Sequence, residues 1–457
     1  MKQLMMVRRM FSMSVSRHIE ASILPRCELD PNRCLMVPCC VQTQSHYSSA
    51  PCPMPEVEDK LWSKVMQYSK YRPIPLSIES FVHHGENDSK EASFRFLKHE
   101  IPTRLAGVLL EFNLLPNILQ RQEQFQQVRK DHLQSFKEIV NLADDSEDVL
   151  ESFDEILLSM RARHADTVSE LAEAVMETKF ELEDKGESVD TGVENAITYF
   201  LDRVYMTRIS NRMLLNQHLY VHGDNIAKPR HVGQIDPYCD VVTSVKRAFA
   251  EAARLCGSHY GEYPDLRVIS NNKTSSEAGD VPILFPYVPS HLHHMIFEVL
   301  KNSMRATVEH SRKEGLAALS PIRVLISKTD VDITIKISDQ GGGIPRSQIE
   351  NLFRYMYTTA GRVGKAHAAL VRNSQLPPMA GLGYGLPLSR LYARYFQGDL
   401  DISSIHGVGT DCFIYLRSSE ANVSNEQVHN SDVVSNVTII KPFSGSRADS
   451  HLLSKHK

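Results

Sequence analysis

The apolar positions of this chain change period near its middle. From about residue 60 to 222 they recur at helical spacing. Phe94, Leu97, Ile101, Leu105 and Val108 follow one another at three or four residues, as do Ile156, Leu157 and Met160 after an acidic start. A long helix is predicted through Tyr199, Phe200, Val204, Ile209, Met213 and Leu214, and Asn113–Pro116 and Gly186–Thr191 read as breaks. Four long helices with short connections predict an antiparallel bundle.

Between Val221 and Gly233 the chain turns polar, with Gly223, Pro229 and Gly233, and a domain boundary is placed there. Beyond it helices and strands alternate: a helix over Val241–Leu255, strands over Ile322–Ser327 and Asp332–Ser338 joined by a tight turn at Lys328–Val331, a helix over Leu386–Phe396, and strands over Leu400–Ile405 and Cys412–Leu416. The expectation is an α+β protein of two domains, an N-terminal antiparallel helical bundle and a C-terminal α/β sandwich, a sheet covered by helices. The bundle is assigned to 58–225 and the sandwich to 232–417, between a disordered leader at 1–57 and a disordered, Ser- and Asn-rich tail at 418–457.

Composition narrows this reading. A chain of 457 residues at roughly 150 per domain allows two or three domains. Its 51 basic and 55 acidic residues leave a formal charge of −4, which excludes a nucleic-acid binder relying on a bulk basic field. No run of about 18 apolar residues is present to span a membrane. Five cysteines (27, 34, 39, 40, 52) crowd the first 52 residues, and Cys239, Cys256 and Cys412 are scattered. That pattern is neither a disulfide framework nor a zinc site, so a reducing compartment is expected. The first residues carry Lys2, Arg8, Arg9 and Arg17 among Ser and Met, with Glu20 the first acid, the composition of a mitochondrial transit peptide. Arg8 and Arg9 would interrupt the apolar core of a secretory signal.

Three stretches carry chemistry. On a helix over His291–His310, Leu292, Ile296, Val299, Ser303 and Ala306 form one stripe, while His294, Glu298, Lys301 and Arg305 form the opposite one with Asn302 at its edge. Such a helix can pack one face on a sheet and offer the other to a ligand. The carboxamide of Asn302 suits Mg²⁺, and Lys301 and Arg305 suit phosphate oxygens. Glu298 could accept a proton, with His294 one turn back to orient it. In the second stretch Asp339 falls in phase with Ile333, Ile335 and Ile337, so its carboxylate needs a hydrogen-bond donor such as an adenine amine, and Gly341–Gly343 let backbone approach a flat ring. The third, Gly381-Leu-Gly-Tyr-Gly-Leu-Pro387, runs into a helix whose free N–H groups favour an anion. Met356–Ala380 before it lacks periodicity and is a candidate lid. No GxxxxGK[ST], HRD or DFG segment is present, which closes the P-loop and ordinary protein-kinase routes.

The order of these boxes resembles the GHKL ATP-binding fold of gyrase, MutL-type and heat-shock chaperone ATPases, histidine kinases and mitochondrial dehydrogenase kinases. Within that group, His294-Met-Ile-Phe-Glu-Val-Leu-Lys-Asn-Ser-Met-Arg-Ala-Thr307 and the segment from Gly381 to Asp399 closely resemble pyruvate dehydrogenase kinases, as do Tyr199–Ser210 and Asn113-Leu-Leu-Pro116. The likeness covers roughly residues 60 to 417. It implies a mixed sheet and serine phosphorylation of the α subunit of pyruvate dehydrogenase, which switches that complex off, in the mitochondrial matrix, with ATP and Mg²⁺. On the family pattern Glu298 is the general base and His294 its support; Asn302 binds Mg²⁺; Lys301 and Arg305 lie with the phosphates; Val299, Leu300, Ser303 and Met304 complete the helical ATP-binding stretch. Asp339 meets adenine beside Gly341, Gly343 and Thr410. Thr358, Thr359, Gly381, Leu382, Gly383, Tyr384, Gly385 and Leu386 close around the nucleotide.

The helical half then resembles the family's regulatory domain, which docks the lipoyl domain of the dihydrolipoyl acetyltransferase core. Arg161 with His164, and Arg208 with Arg212, each share a helix face, and on the family pattern they line a pocket for pyruvate-like carboxylates. A homodimer is also implied. Two substitutions depart from the pattern, Ser303 for the more usual Ala and Gln340 for Arg. A short polar tail stands where a Trp-containing arm is typical, and the single Trp is Trp62. The short tail keeps a branched-chain 2-oxoacid dehydrogenase kinase open as an alternative.

Overall fold

A computed structural model describes residues 56–143, 148–186, 191–223, 230–272, 282–330, 332–357 and 383–417. The expected tail, the leader up to residue 55, the candidate lid after Tyr357, and Thr358, Thr359, Gly381 and Leu382 lie outside the described residues; the last two residues assigned to the leader, Glu56 and Val57, open a helix instead.

Eight helices precede the first described strand: α1 (Glu56–Tyr68), α2 (Ile78–Asn87), α3 (Lys90–Phe112), α4 (Asn117–Gln120), α5 (Glu123–Val140), α6 (Val149–Arg163), α7 (Thr167–Asp184) and α8 (Thr191–His222). Five of them have 15 residues or more, against four long helices expected. Local chemistry sets their ends. The Ser77 and Ser89 hydroxyls cap α2 and α3 by accepting the N–H of Ser80 and Ala92. Helix α8 runs well past the predicted span because neither Gly nor Pro occurs between Val193 and His222. It thereby takes the first two residues of the polar stretch read as a boundary. Phe112 packs between Phe125 and Phe200, ring centroids 4.9 and 5.2 Å away, at the centre of the helical core.

The second half contains β1 (Asp236–Asp240), α9 (Val241–Tyr260), β2 (Leu266–Asn272), β3 (Leu284–Tyr287), α10 (Pro289–Glu314), β4 (Ile322–Lys328), β5 (Asp332–Ser338), α11 (Arg346–Ile349), α12 (Gly385–Tyr395), β6 (Asp399–Ile405) and β7 (Gly409–Arg417). Five strands form one sheet in the order β2-β4-β5-β7-β6. The β2–β4 pair is parallel and the others antiparallel, so the sheet is mixed. Strands β1, β2 and β3 escaped the sequence pattern. β1 and β3 are short and each holds a proline, and β2 is a half-exposed edge strand with little alternation.

One face of the sheet is apolar and covered. Ile333, Ile335 and Ile337 of β5 are fully buried, flanked by Val324 and Ile326 and by Ile414 and Leu416. Helices α10 and α12 pack on this side. The α+β reading therefore stands, with a helix-rich N-terminal region and a mixed sheet carrying helices. Helix α8 also packs on α12. There the Tyr355 hydroxyl donates to Asp202 at 2.5 Å, and Tyr205 meets the rings of Tyr355 and Tyr384 at 5.6 and 6.2 Å.

Candidate active site

Helix α10 begins with Pro289 and ends at Gly315 in the left-handed conformation. It is not a surface helix. Its contacts with α9, α12 and the sheet leave most side chains from His291 to Val308 buried. Lys301 and Glu298, one turn apart, form a nearly buried ion pair at 2.8 Å. A Cβ built on Gly385 would stand 2.1 Å from Glu298 Oε2, so that carboxylate lies directly against the first residue of α12.

His294 sits further back. Its Nε2 is buried without a hydrogen-bond partner, and burial holds its pKa below the ordinary imidazole value despite the opposing field of Glu298. His294 therefore does not reach Glu298 through that nitrogen, and its ring packs instead on Tyr392 at 5.0 Å.

Asp339 ends the apolar face of β5. Its Oδ1 accepts the N–H groups of Gly341 (2.9 Å) and Thr410 (3.3 Å). Burial pushes its pKa up, while these donors and the Ser303 hydroxyl pull it down. The hydroxyl at position 303 thus gives the buried carboxylate a donor that alanine would lack. Gly341 must be glycine on packing grounds, since a Cβ there would lie 2.5 Å from that of Ala306 and 2.7 Å from the Ala306 carbonyl carbon.

These elements surround one cavity of about 440 Å³. Of the residues expected at the site, Glu298, Val299, Lys301, Asn302, Ser303 and Arg305 line it from α10, Asp339, Gly341, Gly343 and Thr410 from the sheet end, and Gly383, Gly385 and Leu386 from the glycine loop. Leu300, Met304 and Tyr384 do not line it. Leu300 and Met304 are fully buried in the hydrophobic core on another side of the helix, and Tyr384 packs toward Tyr205 and Tyr355. The sequence reading missed Glu309, His310, Lys313, Tyr357, Ile402, His406 and Cys412. Glu309 and Lys313 were within reach of it, because they continue the four-residue spacing from Arg305. Among the described residues no cluster of three or more His, Cys, Asp or Glu could hold a metal by itself.

The cationic group of the helical half is also partly assembled. His164 is buried, hydrogen-bonded to Ser135 Oγ at 2.9 Å and packed on His132 at 4.3 Å; burial pushes it down to about 2, so it is neutral. Arg208 donates to the carbonyl oxygens of His164 (3.4 Å) and Ala165 (3.0 Å), and burial and the neighbouring Arg212 lower its pKa. Arg161 is half-buried on α6, while Arg163, absent from the sequence reading, reaches Ser135 at 2.7 Å and Glu138 at 2.8 Å.

A helix carrying Glu, Lys, Asn and Arg, a buried aspartate at a strand end and a glycine loop at a helix start define an ATP-binding domain of the GHKL class. Accordingly, residues 287–420 match the family described as histidine kinase-, DNA gyrase B-, and HSP90-like ATPase, and residues 75–236 match that described as mitochondrial branched-chain alpha-ketoacid dehydrogenase kinase. Similar curated proteins include the mitochondrial pyruvate dehydrogenase (acetyl-transferring) kinase of Drosophila melanogaster, 45% identical over 361 residues (78% of this chain, 84% of the relative). Isozyme 4 of that kinase from Homo sapiens is 43% identical over 360 residues (78% and 84%), and human isozyme 3 is 44% identical over 363 residues (78% and 85%). The chain belongs to the mitochondrial pyruvate dehydrogenase kinase family.

Proposed function

We propose that this protein uses ATP to phosphorylate serine on the α subunit of pyruvate dehydrogenase in the mitochondrial matrix, which inactivates the complex and restrains acetyl-CoA formation from glucose. The observation that carries the reading is the convergence of Glu298, Lys301, Asn302, Arg305 and Asp339 on one cavity in a chain 43–45% identical to curated pyruvate dehydrogenase kinases.

In this reading Asp339 receives the adenine amine, with its other contacts supplied by Gly341, Thr410 and Ser303. The glycine loop and the start of α12 take phosphate oxygens, together with Lys301 and Arg305. Asn302 would hold Mg²⁺ with phosphate oxygens and water as the other ligands, an arrangement suited to an ion that keeps much of its hydration. When bound, Mg²⁺ neutralises charge on the phosphates. Glu298 accepts the proton of the substrate hydroxyl. Lys301 pairs with Glu298 in this structure, and a triphosphate competing for the ammonium would free the carboxylate for that work. Positioning and charge neutralisation supply most of the rate, with a base adding about 10²–10⁴-fold.

Residues 58–225 are taken as the regulatory domain and 232–417 as the kinase domain. In the former, Arg208 and Arg212 supply charge, and His164 a neutral hydrogen-bonding group, for a small carboxylate, with Arg161 at its margin. Docking of the acetyltransferase lipoyl domain on this helical half is proposed from its likeness to the curated kinases. For a homodimer the open sheet face is the natural surface: Ile269, Leu325, Lys336, Phe413 and Asp401 form one row across it, with Ile269 60% and Leu325 42% exposed. The match of residues 75–236 to the branched-chain kinase family favours a second reading, with the branched-chain 2-oxoacid dehydrogenase as substrate. Incubation with each purified dehydrogenase and ATP, followed by phosphosite mapping, decides between them. Phosphate on neither protein would refute both.

A further inference from the structure

Helix α10 holds two imidazoles one turn apart, His291 and His294, on the face that leads to Glu298. Each has a buried ring nitrogen without a hydrogen-bond partner, Nδ1 of His291 and Nε2 of His294. The outer torsion of a histidine is broad, so a ring unpaired on one side takes its orientation largely from what packs on it. One side chain touches both rings. Tyr392 of α12 lies 4.5 Å from His291 and 5.0 Å from His294, centroid to centroid, tilted to each.

We propose that Tyr392 is a positioning residue for phosphoryl transfer: its ring sets the orientation of His294, one turn from Glu298 on the same helix, and through it the Glu298 carboxylate. The proposal rests on the reading of Glu298 as base. Tilted aromatic contacts are geometrically specific, and an aliphatic side chain in place of Tyr392 leaves the imidazole free to turn. Water admitted beside His294 lets it take a proton, and an imidazolium beside Glu298 makes the carboxylate a poorer base. The charged and titratable groups acting on His294 are His291, His293, Glu298 and Lys301 on its own helix; His293 in turn meets Glu251 of α9 at 3.2 Å, and Arg212 of α8 acts on His291.

The test uses the full-length chain with MgATP and purified pyruvate dehydrogenase. Tyr392→Leu should lower kcat about tenfold or more while the KM for ATP and the Kd for MgADP stay within about threefold, because a small misorientation at the reacting group costs turnover rather than binding. The His294 imidazole, identified by its loss in the spectrum of His294→Asn, should titrate at higher pH in Tyr392→Leu by nitrogen NMR. Tyr392→Phe, which keeps the ring, should return kcat to within about threefold of the parent. An unchanged kcat and His294 titration in Tyr392→Leu, a change in KM alone, or a Phe variant as impaired as Leu would each overturn the proposal. If Tyr392→Leu melts below the assay temperature, Tyr392→Met, closer in volume, is judged by the same outcomes. Turnover retained in Glu298→Gln would remove the base assignment alone, since the His294 titration reads the Tyr392 contact independently.

Discussion

Replacing Gly385 with alanine isolates the placement of Glu298 from the stability of the fold. Gly385 opens α12 outside the left-handed region, so alanine fits its backbone. The atoms nearest an added Cβ all belong to the Glu298 side chain: Oε2 at 2.1 Å, Cδ at 2.9 Å and Cγ at 3.4 Å. To reach ordinary contact near 3.4 Å, the carboxylate oxygen must retreat by about 1.3 Å. The far end of a glutamate can make that move cheaply, and alanine favours the helix by up to about 1 kcal/mol. A base displaced by roughly 1 Å, however, loses on the order of 10² in rate, or about 2.7 kcal/mol of transition-state stabilisation. The expected result is a kcat lowered about 100-fold in radiolabel transfer from ATP, MgADP affinity by calorimetry within about threefold, and a Tm no lower than the parent's. A kcat within threefold of the parent in a folded variant would refute the reasoning, and so would an equal loss of kcat and ADP affinity. Gly383→Ala is the contrast. Its φ is +80°, and the added Cβ would meet Tyr357 O at 2.5 Å and Met356 C at 2.8 Å, backbone atoms that cannot step aside. It should lose nucleotide affinity and about 1–2 kcal/mol of stability.

Three further outcomes are expected. Asp339→Asn replaces a carboxylate that accepts from Gly341 and Thr410 and should raise the MgADP Kd at least tenfold by calorimetry; an unchanged Kd would separate Asp339 from nucleotide recognition. Burial, the largest influence on each, holds His132, His164, His218 and His291 at about 4, 2, 4 and 3. The unfolded chain takes up these protons near pH 6.5 and the folded chain does not. Stability is therefore full above that pH and falls toward pH 4, by up to roughly 1.4 kcal/mol per unit for each histidine. Urea unfolding at pH 7.5, 6.5 and 5.5 measures this, and a flat profile would contradict the burial of these rings. Leu325→Glu on the open sheet face should convert a dimer to monomer by light scattering without loss of ATP binding; a dimer that persists would place its interface elsewhere.

Periodicity made much of this protein legible. The 3.6-residue recurrence in the first half and the alternation at β4 and β5 are properties of neighbouring residues, and they survive in the fold, with α8 extending well beyond the pattern at both ends. The strands it missed are held by long-range pairing, β1 with β3 and β2 with β4, which no local period reports. Site residues followed the same division. Asn302, Arg305 and Asp339 were readable because their types and spacing have few alternative uses together. Leu300 and Met304 share that segment but face the core, since residues two away on a helix point in very different directions.

The sequence by itself determined the long helices and the alternating strands β4 and β5, and brought forward Glu298, Asn302, Asp339 and a glycine loop, which line one cavity, because residue type and local period are properties of neighbouring positions. Tertiary structure alone decided that Lys301 neutralises Glu298, that Gly385 abuts its carboxylate, that His294 packs on Tyr392 and that Arg163 takes up Ser135. Those choices depend on which surfaces meet across elements far apart in the chain, and on how much water is excluded where they do.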